Sequence, residues 1–479
     1  GQNFAFGATH ILSFVTINEF RFGYNRLHRE VLTENANLDA FSLLGMEGPA
    51  LQSPDQGFPA FVVAGYQELG ENVNLPTVRH TGTFHFSDVL SLQRGRHHFK
   101  IGGEVRNYRQ DGFQHLFARG KVKFTGAFTG DALADLLLGF PTLSILGMNN
   151  NPQALRSWAY NFFLGDDWQV GSNLTLNVGI RYEVNSSPVD IHDRLTIFDP
   201  VGQALLPVGV SGVPRSGIQS DLNNWAPRLG LAWDPLGSGN LIVRAGYGIY
   251  YDSGTVVENS SLYFNPPNYR LNLFFTGQDP LLLSQPFPNI RAFEPLPSPF
   301  TLDPNFRTSY SQHWSLGLSG RVGRDVLMEA RYVGSKGTKL VSKRNLNQPS
   351  PAPGPVDGRR PIPGFGDILF VESGGSSSYH ALQLRAQKRF SQDLAFLGAY
   401  SYSKSMDNSS SFLETDGYNN TPQDSSNLAA EWGLSNFDLR HRLSSSLIYD
   451  LPQPMVSFLF QNWQLSSILV FQTGRPFTP

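Results

Sequence analysis

The 479-residue sequence has no cysteine, which excludes disulfide staples, thiolate metal sites and a cysteine nucleophile. Charge is also scarce: Asp, Glu, Lys and Arg make up 16% of the chain, against about 25% in a typical soluble domain. The net charge of −2 lacks the basic excess of a phosphate-binding face, so no nucleic-acid partner is expected. No stretch reaches the roughly 18 consecutive apolar residues of a membrane-spanning helix. The most apolar short run, ALADLLLGF (132–140), carries Asp135. G-x-S-x-G, H-E-x-x-H and Walker-type loops are missing, and the reading expects neither an enzyme nor a cofactor. Gly1 and Pro479 are expected to be the ends of a piece of a longer protein.

Aromatic residues (13%) and glycine (47 residues) are plentiful, a composition that favours strands and turns. Period-two alternation confirms the preference. In LTLNVGIRYE, Leu174, Leu176, Val178, Ile180 and Tyr182 share one face, and Thr175, Asn177, Gly179, Arg181 and Glu183 the other, because successive side chains of a strand point oppositely. Trp158 to Trp168 alternates likewise, and Val170–Asn173 joins the two as a hairpin. The same unit recurs around Arg94–Arg96, Leu236–Asn240, Arg321–Arg324, Ser391–Asp393 and Pro452–Gln461. With a lone strand through Phe20, Phe22 and Tyr24, the reading counts about 13 strands of one antiparallel sheet.

Between the hairpins lie long connections at roughly 27–79, 110–155, 185–225, 253–308, 335–378 and 405–436. Loops beyond about 12–15 residues are uncommon in compact soluble domains. A transmembrane β-barrel has short turns at its periplasmic end and long loops outside. A soluble sandwich or propeller also has many short strands, but its turns would not sort into two lengths at alternate positions. The expected fold is therefore all-β, an antiparallel barrel in the outer membrane.

That fold requires aromatic girdles at both interfaces. Trp168, Trp233, Phe390 and Trp463 sit beside short turns, and Tyr24, Tyr182, Tyr251, Tyr332 and Tyr402 at long-loop ends. Arg181, Glu183, Arg228, Arg244, Asp252, Glu329, Arg331, Gln383 and Arg385 fall opposite the apolar faces; costly in lipid, they are expected to face the lumen. Asp166 falls on the outward face of its strand, near a turn where a charge is cheap. His97 and His98 are neighbours in a strand and cannot share a metal. GSKGTK (334–339) is expected to be a turn with solvated lysines, and Pro349–Pro363 an extended spacer. In loop 405–427, Asp407, Glu414, Asp416 and Asp424 form a solvated surface more readily than a calcium site; no metal is assigned. Phe412, Glu414, Asp416 and Tyr418 are the candidates for touching an extracellular ligand.

NEFRFGYNR (18–26), TGDALADLLLGFP (129–141), GDDWQVGSNLTLNVGIRYE (165–183), NNWAPRLGLAWDP (223–235), VRAGYGIYYD (243–252), YVGSKGTKL (332–340), FDLRHRL (437–443) and QTGRPFTP (472–479) resemble, in this order, segments of the TonB-dependent outer-membrane receptors. The resemblant subgroup carries a carboxypeptidase-regulatory-like domain at its N-terminus. The resemblance implies a barrel of about 22 strands around a plug domain, energised by the TonB complex and surrounded by outer-membrane lipid and lipopolysaccharide. Residues 1–479 are expected to be one partial barrel domain, with the plug, the TonB-contacting box, the regulatory-like domain and the closing strands outside it. Uptake of a bulky or scarce nutrient is the implied function. An adhesive surface protein, and more remotely a secreted carbohydrate-binding β-protein, are the alternatives.

Overall fold

In the computed structural model, residues 1–252, 261–277, 281–288, 293–323, 325–391, 393–411, 421–451 and 463–477 are described. Seventeen strands form one sheet. Three are additions of two or three residues (Val189–Asp190, Phe300–Leu302 and Gly433–Leu434), and the other fourteen make a wall. These are β1 (Gln2–Ser13), β2 (Thr16–Val31), β3 (Thr77–Arg94), β4 (His97–Gln114), β5 (Gln153–Gln169), β6 (Leu174–Asn185) and β7 (Asn224–Trp233). They continue as β8 (Leu241–Tyr251), β9 (Tyr310–Val322), β10 (Val326–Asn345), β11 (Leu369–Ser391), β12 (Leu394–Asp407), β13 (His441–Asp450) and β14 (Gln464–Gln472). Each pairs antiparallel with the next in chain order. Among the described residues β1 and β14 do not pair with each other, so the sheet is an open arc.

The register turns the alternation within strands into rows across them. Leu176, Leu231, Ala245, Leu316, Tyr332, Leu382 and Tyr402 form one such row. On the opposite face Ala232, Arg244, Gly317, Arg331, Gln383, Ser401 and Arg442 form another. The first face is left half exposed, Leu316 at 53% and Phe162 at 55%. Among the described residues nothing packs over it, as befits a face that meets acyl chains. Several aromatic rings lie over a glycine one strand away: a Cβ on Gly334 would stand 2.4 Å from the Trp314 ring, and one on Gly102 2.6 Å from Phe163.

Three expectations need correction: the strand count, the GSKGTK turn and the Pro-rich spacer. Residues 2–13 form a wall strand, with Phe4 opposite Tyr24 and Phe6 opposite Phe22, so the wall has one strand more than the alternation counted. His10 and the adjacent Ile11-Leu12 break its pattern. Each long connection is itself partly folded. β10 and β11 run for 20 and 23 residues, about twice what a tilted strand needs to cross a bilayer. GSKGTK lies inside β10 rather than in a turn; a bulge with Lys339 at φ 54 takes up the irregularity.

The other described residues of the connections fold into a cap, and the hydrophobic cores lie there. Leu155, Leu195, Ile197, Val208, Leu262, Tyr263 and Leu302 form the largest. A four-stranded sheet (Tyr269–Phe275, Leu143–Asn149, Lys121–Phe124, Ala60–Val63) carries the second, around Val63, Val122 and Phe124. Helix α1 (Ala40–Leu44) and helix α2 (Ala132–Leu138) also belong to the cap. α2 starts where the Asp131 side chain accepts from the Leu133 and Ala134 N–H groups and ends at Gly139 in the left-handed region. Phe198, Ile362 and Ile368 form the third core. The Pro-rich segment is a closed loop rather than a spacer. Buried Asn347 donates to the Ile362, Phe365 and Gly366 carbonyls at 2.9 Å and accepts from the Ile362 N–H at 2.7 Å.

Candidate functional site: the polar inner face and the cap

The inner face of β3–β7 carries a charged lattice that begins with Ser87, Glu104, Asn161, Glu183 and Asn224, one residue per strand in a single row. Glu104 is at its centre. Its Oε1 accepts from Arg181 Nη2 at 2.5 Å and Asn161 Nδ2 at 2.9 Å; its Oε2 accepts from Arg106 Nη2 at 2.9 Å and contacts His85 Nε2 at 3.1 Å. Arg181 Nε also donates to Glu183 Oε1 at 2.8 Å. Two carboxylates with little exposure are thus answered by two arginines, in charge-assisted pairs that hold best where water is scarce.

The other expected lumen residues fall on the same face but do not all meet. The Arg228 guanidinium lies 4.6 Å from the centre of the Tyr250 ring. Arg244 Nη1 donates to Ser319 Oγ at 3.0 Å. Glu329 and Arg385 approach to 3.7 Å, and Gln383 stands between Arg331 and Ser401 in register. Asp252 lies just past β8, its N–H donating to the Ser309 carbonyl. Between these groups Gly165, Gly179, Gly230, Gly246 and Gly248 floor a depression of about 660 Å³, with Arg228 and Arg331 among its lining. A smaller cavity of about 180 Å³ lies where wall and cap meet, lined by Tyr108, Trp158, Asn185, Asp221, Asp252 and Thr308 among others.

On the outer face, Tyr182, Tyr332 and Tyr402 occupy the apolar rows. Trp168 and Trp233 flank short turns at 38% and 43% exposure; Phe390 and Trp463 are also exposed, and Tyr251 pairs with Tyr310. Asp166 does lie in an apolar row, between Phe99 and Val178, and His97 Nδ1 answers it at 2.7 Å. His98 is on the other face, opposite Asp167. Asp407 and Asp424 accept hydrogen bonds from Ser410 and Ser426. Phe412, Glu414, Asp416 and Tyr418 lie outside the described residues.

The cap has polar anchors that carry no signal in the sequence. Asp190 has no exposed side-chain surface. Its Oδ1 accepts from Arg194 Nε at 3.0 Å and the His192 N–H at 2.8 Å; its Oδ2 accepts from Arg194 Nη2 at 2.8 Å, the Ala154 N–H at 3.1 Å and the Tyr263 hydroxyl. Burial pushes the Asp190 carboxyl up, but the hydrogen bonds from Arg194, Tyr263 and His192 outweigh it and hold the group below the usual carboxylate range. Arg119, 3% exposed, similarly ties the Asn72 and Leu75 carbonyls (3.0 and 2.7 Å) to Glu71 (3.5 Å). Glu104 itself could have been found, since it alternates with Val105 in HHFKIGGEVR. The cap anchors have no such signal, because their partners are distant in sequence and outside any periodic segment.

The family described as "Outer membrane beta barrel domain" matches residues 1–479. The TonB-dependent transporter Oar of Myxococcus xanthus is 25% identical over 240 residues, which cover 48% of this chain and 20% of Oar. Among solved structures, the outer membrane transporter YddB from Escherichia coli superposes with a TM-score of 0.55 at 12% identity, covering 99% of this chain and 51% of YddB. The siderophore receptor PirA from Acinetobacter baumannii gives 0.49 at 13% identity, covering 94% of this chain and 48% of PirA. The chain thus spans about half the length of the structures it resembles and a fifth of Oar. It belongs to the outer membrane beta barrel domain family, and its place is the outer membrane of a bacterial cell.

Proposed function

We propose that this chain supplies wall strands and the extracellular cap of a TonB-dependent receptor that takes up a bulky or scarce nutrient through a plugged barrel. The observation that carries the reading is the polar inner face spread over fourteen strands. An eight-stranded barrel is filled by its own side chains, whereas wider ones enclose either a channel or a plug. With Glu104 and Glu183 already satisfied by arginines of the wall, the inner lattice serves as a fixed lining around a plug rather than as a free ligand site. By this proposal the barrel is completed by further strands, a plug and a segment that meets the TonB complex. A regulatory-like domain before the plug belongs to the same proposal. Ligand capture falls to the extracellular loops, with Phe412, Glu414, Asp416 and Tyr418 as candidates, and siderophore, oligosaccharide or peptide as the substrate classes. The reading assigns no bond-making chemistry to the chain.

The test is growth of a strain lacking the full-length gene on a ferric siderophore as sole iron source, or a maltodextrin or oligopeptide as sole carbon source. Loss of growth on one of them, reproduced by removing TonB, is the expected result. Unchanged growth on all three, with weaker attachment to neighbouring cells, would replace uptake with the adhesive alternative, for which the folded cap would also serve.

A further inference from the structure

The outer face of the wall carries a row of arginines that the transport reading does not use. Arg26, Gly82, Arg109 and Arg156 are aligned across β2–β5, each opposite the next. The row immediately nearer the short turns is Tyr24, Phe84, Asn107 and Trp158, and the next is Phe22, Phe86, Val105 and Tyr160. The arginines therefore stand at the long-loop edge of the apolar belt, on the side that faces lipid. That is the level of the headgroups in the outer leaflet.

Like charges directly opposite one another across an antiparallel pair are unfavourable, yet Arg109 and Arg156 are so placed. Every charged group around them bears on the balance. Asp111 pairs with Arg156 at 2.8 Å, and Glu30 lies 3.6 Å from His28, which stacks on His80. Among the described residues no carboxylate pairs with Arg26 or Arg109. Arg109 is held instead by Asn107 Oδ1, which accepts from its Nε at 2.7 Å, and by the Phe84 ring, 4.9 Å away. Farther round the wall, Ile249, Gln312, Lys336 and Ser378 form a row with a single cation, and that lysine already donates to Ser376 Oγ at 2.6 Å.

We propose that the arginine row on β2–β5 binds the phosphates of a phosphorylated glycolipid of the outer leaflet, with the aromatic rows beneath it packing the acyl chains. The guanidinium fork matches phosphate oxygens two at a time. The apolar surface adjoining the charges makes the ligand amphiphilic: a soluble phosphate would gain nothing from Phe84, Phe86 and Tyr160. The site is independent of what the barrel transports.

The test uses the full-length protein extracted from outer membranes in detergent, with bound lipid A counted by native mass spectrometry. The Arg26→Gln/Arg109→Gln/Arg156→Gln variant is expected to retain at least tenfold less bisphosphorylated lipid A, and Arg109→Gln alone about threefold less. Replacement of the three by lysine is expected to restore part of the loss. The heat-dependent shift of gel mobility, which reports a folded barrel, verifies that each variant compared is native; the single variant carries the test if the triple one does not fold. Equal retention by the variants would overturn the site. So would equal binding of dephosphorylated lipid A, which would leave only the apolar belt at work. Displacement by millimolar inorganic phosphate, or equal binding of phosphatidylglycerol, would overturn the glycolipid in favour of an unselective phosphate contact.

Discussion

A carboxylate with no exposed surface survives at Asp190 only because the Arg194 guanidinium, the Tyr263 hydroxyl and three backbone N–H groups satisfy it. Its folded-state pKa lies below the ordinary value, so the stabilisation it provides is fully present above about pH 4, the unfolded value. It is lost as pH falls through the lower folded value. Hydrogen exchange across 189–198 and 262–275, corrected for the intrinsic pH dependence of exchange, should therefore stay slow from neutral pH to about 4 and quicken below it. Constant protection down to pH 2.5 would show that the node does not hold the cap. Asp190→Ala leaves Arg194, only about a quarter exposed, without its partner; a cost of about 3 kcal/mol is expected. It should appear as exchange of the same segments at neutral pH while the wall stays protected. Neither Asp190 nor Tyr263 stood out in the sequence. They are 73 residues apart, in segments without periodicity.

Among the wall elements, the constraint visible in one strand often originates in its neighbour. Gly334 has an ordinary extended backbone, yet a side chain there would displace the Trp314 ring. Gly334→Val is expected to cost about 1–3 kcal/mol by overpacking, measured as a lower temperature for loss of the folded band on a gel. Gly474→Val, where a Cβ would meet nothing within 4 Å, is the control; equal losses would remove the argument from ring contact. Strands of this kind were legible because a bilayer on one side and a polar interior on the other impose period two on each of them separately. β1 escaped where Ile11-Leu12 interrupts that period. The cap strands escaped because segments of four to seven residues, such as Ala60–Val63 and Tyr269–Phe275, are specified by remote partners rather than by their own pattern. The inner lattice was half legible. Alternation assigned Arg181 and Glu183 to a face, but only the register joins them to Glu104, on a strand not adjacent in sequence.

For the whole molecule, the cap changes what protease should see. Open loops would be cut anywhere, whereas here Leu195, Ile197, Val208 and Ile218 anchor the 185–225 connection in a buried core, leaving exposed stretches between the anchors. Protease added to intact cells is expected to cut first at protruding points such as Val201, 93% exposed, and the Val210–Gly212 tip. Turns such as Arg94–Arg96 should be reached only after the outer membrane is opened. Early cuts at both ends of the wall would contradict the orientation.

The position of the cores sets an order in time. Wall hairpins join neighbours in sequence, but Thr301 meets Phe198 across 103 residues and Gln285 meets Glu47 across 238. Such contacts cannot close until the hairpins that carry them stand side by side, and loop-closure entropy delays them further. The cap is therefore expected to condense only after the wall strands that carry its segments have inserted. The part of the protein that first meets the environment is thus the last to be built.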